Sequence, residues 1–355
     1  MPPLSREHSL RLKLLNFPLI VGVVYIHAYG MEIGFAGAYL GPAHLDRLTD
    51  VVRTLVSQGL ARLAVPMFFL ISGYFFFTGF TGRSYLDKLR RRCHTLLLPY
   101  VFWTCCFAAI IAVGQHLPRV GPYFGESSLS GLSPWDLGNA LFGVTRVPAA
   151  YHFWFIRDLM LLMLLSPLLR LLLGVAPLSW LAALFLVWVS GRWPLLVPDV
   201  VGVLFFSLGG YVALRDRSLF FFDCCGWWSV VLYVPLLVAD VVWYDAWFNV
   251  TLHRCGIVVG LAAVLFLTRH LLAAERCGGA LLRLSGASFF VYAAHEPLLG
   301  VVRTVAFRVL PLDTPPVALV VYLAVPLLVI LLLIILHRLL GRVAPRALLL
   351  VTGGR

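Results

Sequence analysis

The chain has 355 residues, 61% of them hydrophobic and only 12% charged, and its mean hydropathy is +0.93. A soluble domain carries roughly 25% charged residues to solvate its surface, so this composition excludes a soluble enzyme and calls for lipid around the fold. The formal net charge of +12 does not imply nucleic acid, because the basic residues sit in short runs between apolar segments.

A helix of about 20 apolar residues crosses ~30 Å of hydrocarbon. Windows of that kind predict ten spans, near 14–33, 58–80, 95–115, 153–173, 178–192, 198–214, 227–243, 250–271, 285–306 and 316–340. The N-terminus is polar through Lys13 and no small-residue cleavage site follows a short apolar run, so 14–33 reads as a first span, not a removed signal. The densest basic run, Arg83–Arg92, with Lys88, Arg90, Arg91 and Arg92, follows the second span. Arg170, Arg215/Arg217, Arg269–Arg283 and His337–Arg355 fall on the same side when the N-terminus is cytoplasmic. The positive-inside rule then puts both termini in the cytoplasm. Gly191 and Pro194 close the short fifth window, which suits a span or a re-entrant segment. The loop 116–151, rich in Gly, Pro and Ser, faces outward. The expected fold is an all-α integral membrane protein, a single bundle of about ten helices forming one domain over 1–355. Seven cysteines show no zinc spacing and no disulfide framework, so no metal is expected.

Ionisable side chains inside such spans are costly and mark candidate sites. In chain order they are His27, Arg62, Arg157, Asp158, Asp240, His253, Arg254, His295 and Glu296. Trp154, Arg157 and Asp158 share a helical stripe, as do Gln58 and Arg62. His27, Arg62 and Arg157 fall in the outer half of the bilayer and His295 nearer its middle. Each has a structural alternative: a hydrogen-bonded core histidine for His27, a snorkelling or charge-balancing cation for Arg62, an ion pair for Arg157/Asp158. Asp240, His253 and Arg254 lie near span ends, where a structural role is expected. Four helices carrying polar groups suggest one interior pocket.

The segments PLIVGVVYIHAYG at 18–30, AVPMFFLISGYFFF at 64–77, HFWFIRDLMLLMLLSPLL at 152–169 and SFFVYAAHEPLL at 288–299 resemble the acyltransferase-3 family of membrane enzymes that modify cell-surface polysaccharides, by O-acetylation or O-succinylation. The resemblance runs from the first span to the last. It implies His27 as the catalytic histidine and matches Arg62, Trp154, Arg157 and His295 to the family's other polar or signature positions. The family usually has arginine eleven positions before the histidine, where this chain has Asn16, and Lys13 lies one turn further down on nearly the same face. The resemblance further implies acyl-CoA as co-substrate, arriving from the cytoplasm, where Lys13, Asn16, Arg90 and Arg91 are the candidate contacts. The acceptor would be a glycan or lipid-linked saccharide on the outer side of a bacterial inner membrane, with His152, Trp154, Asp158 and Glu296 as candidate contacts.

A sugar hydroxyl is a poor nucleophile at neutral pH, so acyl transfer to it needs a base, and a histidine titrates in that range. His27 would take the hydroxyl proton or carry the acyl group itself, with Arg62 and Arg157 stabilising developing oxyanion charge. The rival reading is a transporter or flippase whose glycan or small-anion path is the same polar seam; the inverted repeats and broken helix pairs of such proteins are not evident. A non-catalytic scaffold leaves the intramembrane histidines and arginines without a purpose.

Overall fold

The structure, a computed structural model, describes residues 5–35, 38–42, 44–117 and 131–354. The first helix, α1 (Arg6–Ala28), begins well before its apolar stretch because REHSLRLK consists largely of good helix formers. It ends at Ala28, short of the expected limit, and a small hairpin follows: β1 (Ile33–Phe35) runs antiparallel to β2 (Ala38–Leu40). The next span is one helical run built from α2 (Arg47–Arg53), a π-helical turn at Thr54–Leu60, a 3-10 turn at Ala61–Leu63 and α3 (Ala64–Phe77). A third comprises α4 (Gly82–Arg92) and α5 (Leu98–Gln115). The loop expected at 116–151 contributes α6 (Pro134–Phe142), its N-terminus capped by Ser133 and its C-terminus by Gly143 at φ 66°; residues 118–130 of that loop lie outside the described residues.

The window expected at 153–173 is two helices, α7 (Trp154–Leu164) and α8 (Ser166–Val175), bent by 64°. Pro167 explains the break: it has no amide hydrogen for the Met163 carbonyl, and its ring crowds that turn. Next come α9 (Pro177–Ser190), ended by Gly191 at φ 69°, and α10 (Val200–Leu214). With 14 and 15 residues they extend only ~21–23 Å at 1.5 Å per residue. The chain continues through α11 (Gly226–Val242), α12 (Asn249–Ala273), α13 (Glu275–Leu284), α14 (Ser288–Val309), α15 (Pro315–Val343) and α16 (Pro345–Thr352). Among the described residues, seven helical runs are long and apolar enough to cross a membrane, or eight with the bent pair. The protein is a multi-pass helical membrane protein.

The chain divides into two compact units. The first comprises Met1–Ile26, Thr54–Arg92 and Asp158–Ser288. Within it α3 packs against α10 through glycines: Gly73 lies against the Phe206 main chain and Gly209 against the Leu70 main chain. Small residues let the backbones approach this closely, the usual basis of helix association in lipid. Arg11 of α1 is buried to 2% exposure. It pairs with both carboxylate oxygens of Asp223 at 2.7 and 2.9 Å, donates to Thr268 Oγ1 and the Leu265 carbonyl, and stacks on Phe220. Where α11 ends and α12 begins, Asp240 accepts from His253 at 2.7 Å and from Asn249 at 2.9 Å, while Arg254 donates to the last carbonyls of α9.

The second unit comprises His27–Arg53, Cys93–Arg157 and Phe289–Arg355. Trp103 of α5 donates to the Val351 carbonyl of α16 at 2.9 Å, and the rings of Phe290 and His337 join α14 to α15. Arg53 pairs with Asp50, donates to the Tyr29 carbonyl at 3.1 Å and lies over the Tyr29 ring. These contacts secure the chain on either side of the hairpin, directly after the last turn of α1.

Candidate active site

The site lies in the second unit and starts from a proline. Pro297 sits inside α14 without an amide hydrogen, so the carbonyl four residues earlier, Ala293, has no helical partner. The ring of His152 takes that carbonyl, with Nε2 at 3.3 Å. The proton of neutral His152 is therefore on Nε2, and Nδ1 presents a bare lone pair. His152 belongs to the 3-10 turn Tyr151–Phe153 and is 1% exposed. The Tyr292 hydroxyl donates to its main-chain carbonyl at 2.6 Å, and the rings of Phe107 and Phe153 enclose it at 6.0 and 4.4 Å.

His295, fully buried on the same helix, has the opposite tautomer. Its Nδ1 lies 2.7 Å from the Tyr292 carbonyl, so the proton is there and Nε2 is bare. Neither His152 Nδ1 nor His295 Nε2 has a hydrogen-bond partner among the described residues. The third imidazole is His27, in the last turn of α1. Its ring centroid lies 5.2 Å from His295 and 6.5 Å from His152, and those two rings are 5.1 Å apart. Tyr151 meets His27 edge-on at 5.0 Å.

Charge enters on the more open side of this triangle. Glu296 Oε1 lies 3.9 Å from His27 Nδ1, with side-chain exposures of 11% and 15%. The Tyr151 hydroxyl donates to the Glu296 carboxylate. Arg303 stands two turns after Glu296, on the same face of α14. Its guanidinium donates to the His27 carbonyl at 3.3 Å and to the Gly30 carbonyl, so a cation closes the C-terminus of α1, where the helix dipole favours one. The result is one imidazole faced by a carboxylate and backed by two buried imidazoles, each with one nitrogen unpartnered among the described residues. Such a group can accept a proton from a hydroxyl and bear the resulting charge, which is what acyl transfer to an alcohol requires.

A family model described as an acyltransferase domain matches residues 12–335. The chain belongs to the acyltransferase-3 family. It is 29% identical to the succinoglycan biosynthesis protein ExoH of Rhizobium meliloti (strain 1021), over 98% of this chain and 92% of that protein. No solved structure matches it. The protein is thus a membrane acyltransferase.

The acyltransferase brings four of the residues singled out in the sequence into one cluster: His27, His152, His295 and Glu296. Trp154, half-buried, opens α7 two residues after His152. Arg157 is engaged by the Gly143 carbonyl at the end of α6. The other candidates belong to the first unit. Arg62 donates to Gln58 Oε1 at 2.8 Å, fulfilling the shared face read from their spacing. Asp158 is wholly buried and accepts the Asp199 amide at 2.7 Å. On α1, Lys13 is exposed and Asn16 half-buried; Arg90 and Arg91 are exposed on α4. The buried cation of the first helix is Arg11, which sequence reasoning left in the polar N-terminal stretch. Tyr151, Tyr292, Pro297 and Arg303 also escaped it. The two-turn spacing of Glu296 and Arg303 was the available signal for Arg303.

Proposed function

We propose that the protein is an O-acyltransferase that moves an acetyl or succinyl group from cytoplasmic acyl-CoA to a hydroxyl of a cell-surface glycan or lipid-linked saccharide, in a bacterial inner membrane. His27 acts as base or acyl relay. The observation that carries this reading is His27 itself, held at the end of α1 with the Glu296 carboxylate 3.9 Å from Nδ1. A carboxylate at that nitrogen stabilises the imidazolium formed when the ring takes the hydroxyl proton. The relative's name, a succinoglycan biosynthesis protein, supports a glycan acceptor. Counting α9 and α10 as short crossings gives ten spans with both termini in the cytoplasm. That orientation puts the exposed Arg90 and Arg91 on the donor side, where they would meet the phosphates of CoA. Lys13 and Asn16 of α1 are further donor contacts in this reading, and Trp154 an acceptor contact.

The test is CoA release by the purified protein in detergent, given acetyl-CoA or succinyl-CoA with and without a glycan acceptor. Acceptor-dependent release that falls at least ~100-fold in His27→Ala is expected from the worth of a general base. Release unchanged by His27→Ala removes His27 from the mechanism, and glycan flux in vesicles without acyl-CoA replaces transfer by transport.

A further inference from the structure

Tyr233, Asp240 and His253 take no part in the cluster around His27, yet the first unit builds them into one pocket. Its walls are the π-helical turn Thr54–Leu60 at Gly59, α11 at Tyr233 and Asp240, and α12 at His253 and Gly256. It has room for about one water-sized group. Gly256 is buried, and a Cβ there would meet nothing within 4 Å, so the missing side chain is part of the space. A Cβ at Gly260, one turn on, would lie 2.7 Å from Tyr233 Cε2, so the tyrosine ring is seated closely against α12. Turns of the π type are rare and recur at functional sites.

The polar groups on these walls select a ligand class. Both oxygens of Asp240 are engaged, Oδ1 by the Asn249 side-chain amide and Oδ2 by His253 Nδ1. That second bond keeps the His253 proton on Nδ1, which makes the ring's other nitrogen an acceptor. The Tyr233 hydroxyl is buried and has no hydrogen-bond partner among the described residues. A buried hydroxyl left unpaired is costly, and phenylalanine would fill the same place without that cost, so the oxygen calls for a ligand. A carboxylate on the wall repels anions, including the phosphates of CoA, and a cation would find both carboxylate oxygens taken. A neutral hydroxyl, at once donor and acceptor, complements the tyrosine oxygen and the imidazole nitrogen. We propose that this pocket is a second contact for the acceptor glycan, receiving one saccharide hydroxyl against Tyr233 and His253. The proposal rests on the acyl-transfer reading above, whose orientation puts the turn between α11 and α12 on the acceptor side. That turn, WYDAWF at 243–248, exposes Trp243 and Trp247, whose flat amphipathic rings suit the apolar face of a sugar. A glycan extends beyond the hydroxyl that reacts, so a contact of this kind holds ground state and transition state alike and acts on KM.

The experiment uses a de-acylated succinoglycan oligosaccharide as probe, with wild type, Tyr233→Phe and Gly256→Ala in detergent. One arm measures KM for the probe and for acyl-CoA by CoA release, and the other measures Kd for the probe without acyl-CoA. Tyr233→Phe removes only the hydroxyl, and Gly256→Ala places a methyl group in the pocket. Expected is a rise of about 3–10-fold in KM and Kd for the probe in each variant, the worth of one hydrogen bond. KM for acyl-CoA should stay within about twofold of wild type. The Tm of Tyr233→Phe should equal or exceed that of wild type, because the empty protein loses no bond; a hydroxyl with a structural role would lower it. Probe KM and Kd unchanged in both variants overturn the subsite and leave His27 as base standing, and a wild type that binds no oligosaccharide overturns it too. Full CoA release by His27→Ala removes the base reading instead, while the Kd arm still decides the pocket.

Discussion

The guanidinium of Arg303 donates to the main-chain carbonyl of His27 across 3.3 Å. A residue on α14 thus holds the backbone of the catalytic candidate on α1, and its second bond, to Gly30, fixes the chain just beyond. Arg303→Met removes both restraints while preserving much of the side-chain bulk. A displacement of about 1 Å can cost ~10²-fold in rate, so a loss of 10–100-fold in kcat is expected by CoA release. Arg303→Lys keeps the cation but not the planar fork, and should fall between wild type and Arg303→Met.

Glu296→Gln removes the charge facing His27 Nδ1 while keeping the side-chain shape. The imidazolium then forms without its counter-charge. The expected outcome is a kcat lower by about 10–30-fold with KM for the donor unchanged, since the interaction gains strength only as the proton moves. Tyr151→Phe, which removes only the hydroxyl that supports Glu296, should cost less than Glu296→Gln.

Breaking a buried ion pair leaves one charge without compensation, and the cost is about 3–5 kcal/mol for a fully buried pair. Arg11 is 2% and Asp223 22% exposed, so Arg11→Met should cost somewhat less, about 2–4 kcal/mol. A lower Tm in detergent would show it. Arg11→Met combined with Asp223→Leu should regain much of that loss, because neither charge is then stranded.

The α3–α10 contact depends on the absence of a side chain. A Cβ at Gly73 would meet the Phe206 carbonyl oxygen, and one at Gly209 the Leu70 carbonyl oxygen. Gly73→Ala or Gly209→Ala should each lower stability by about 1–3 kcal/mol through overpacking. Gly256→Ala, where a Cβ meets nothing within 4 Å, should leave Tm within about a degree or raise it slightly by helix propensity.

The histidines and Glu296 were legible because an ionisable group in an apolar run is conspicuous whatever it touches. Arg303 was not, since it lies near the end of its window and looks like an ordinary flanking charge. Arg11 was hidden by the polar stretch around it, and its burial follows from a carboxylate far along the chain. Pro297 carries no polar side chain, so its effect on His152 emerges only when a turn from elsewhere in the chain meets the carbonyl it releases. Pro167 lay in an unbroken apolar window, where hydropathy does not register the lost hydrogen bond that bends the span. Hydropathy likewise does not measure helix length, and α9 and α10 are apolar but short.

The pairing of Arg11 with Asp223 spans 212 positions of chain. During synthesis the first helix is complete long before its carboxylate exists, and at about 5–20 residues per second the interval is roughly 10–40 s. Through that time the guanidinium must stay hydrated or reach toward the headgroups. It can be drawn fully inside only when the helices bearing Asp223 and Thr268 arrive. The full set of partners of Arg11 is therefore complete only once the chain has been made through Thr268.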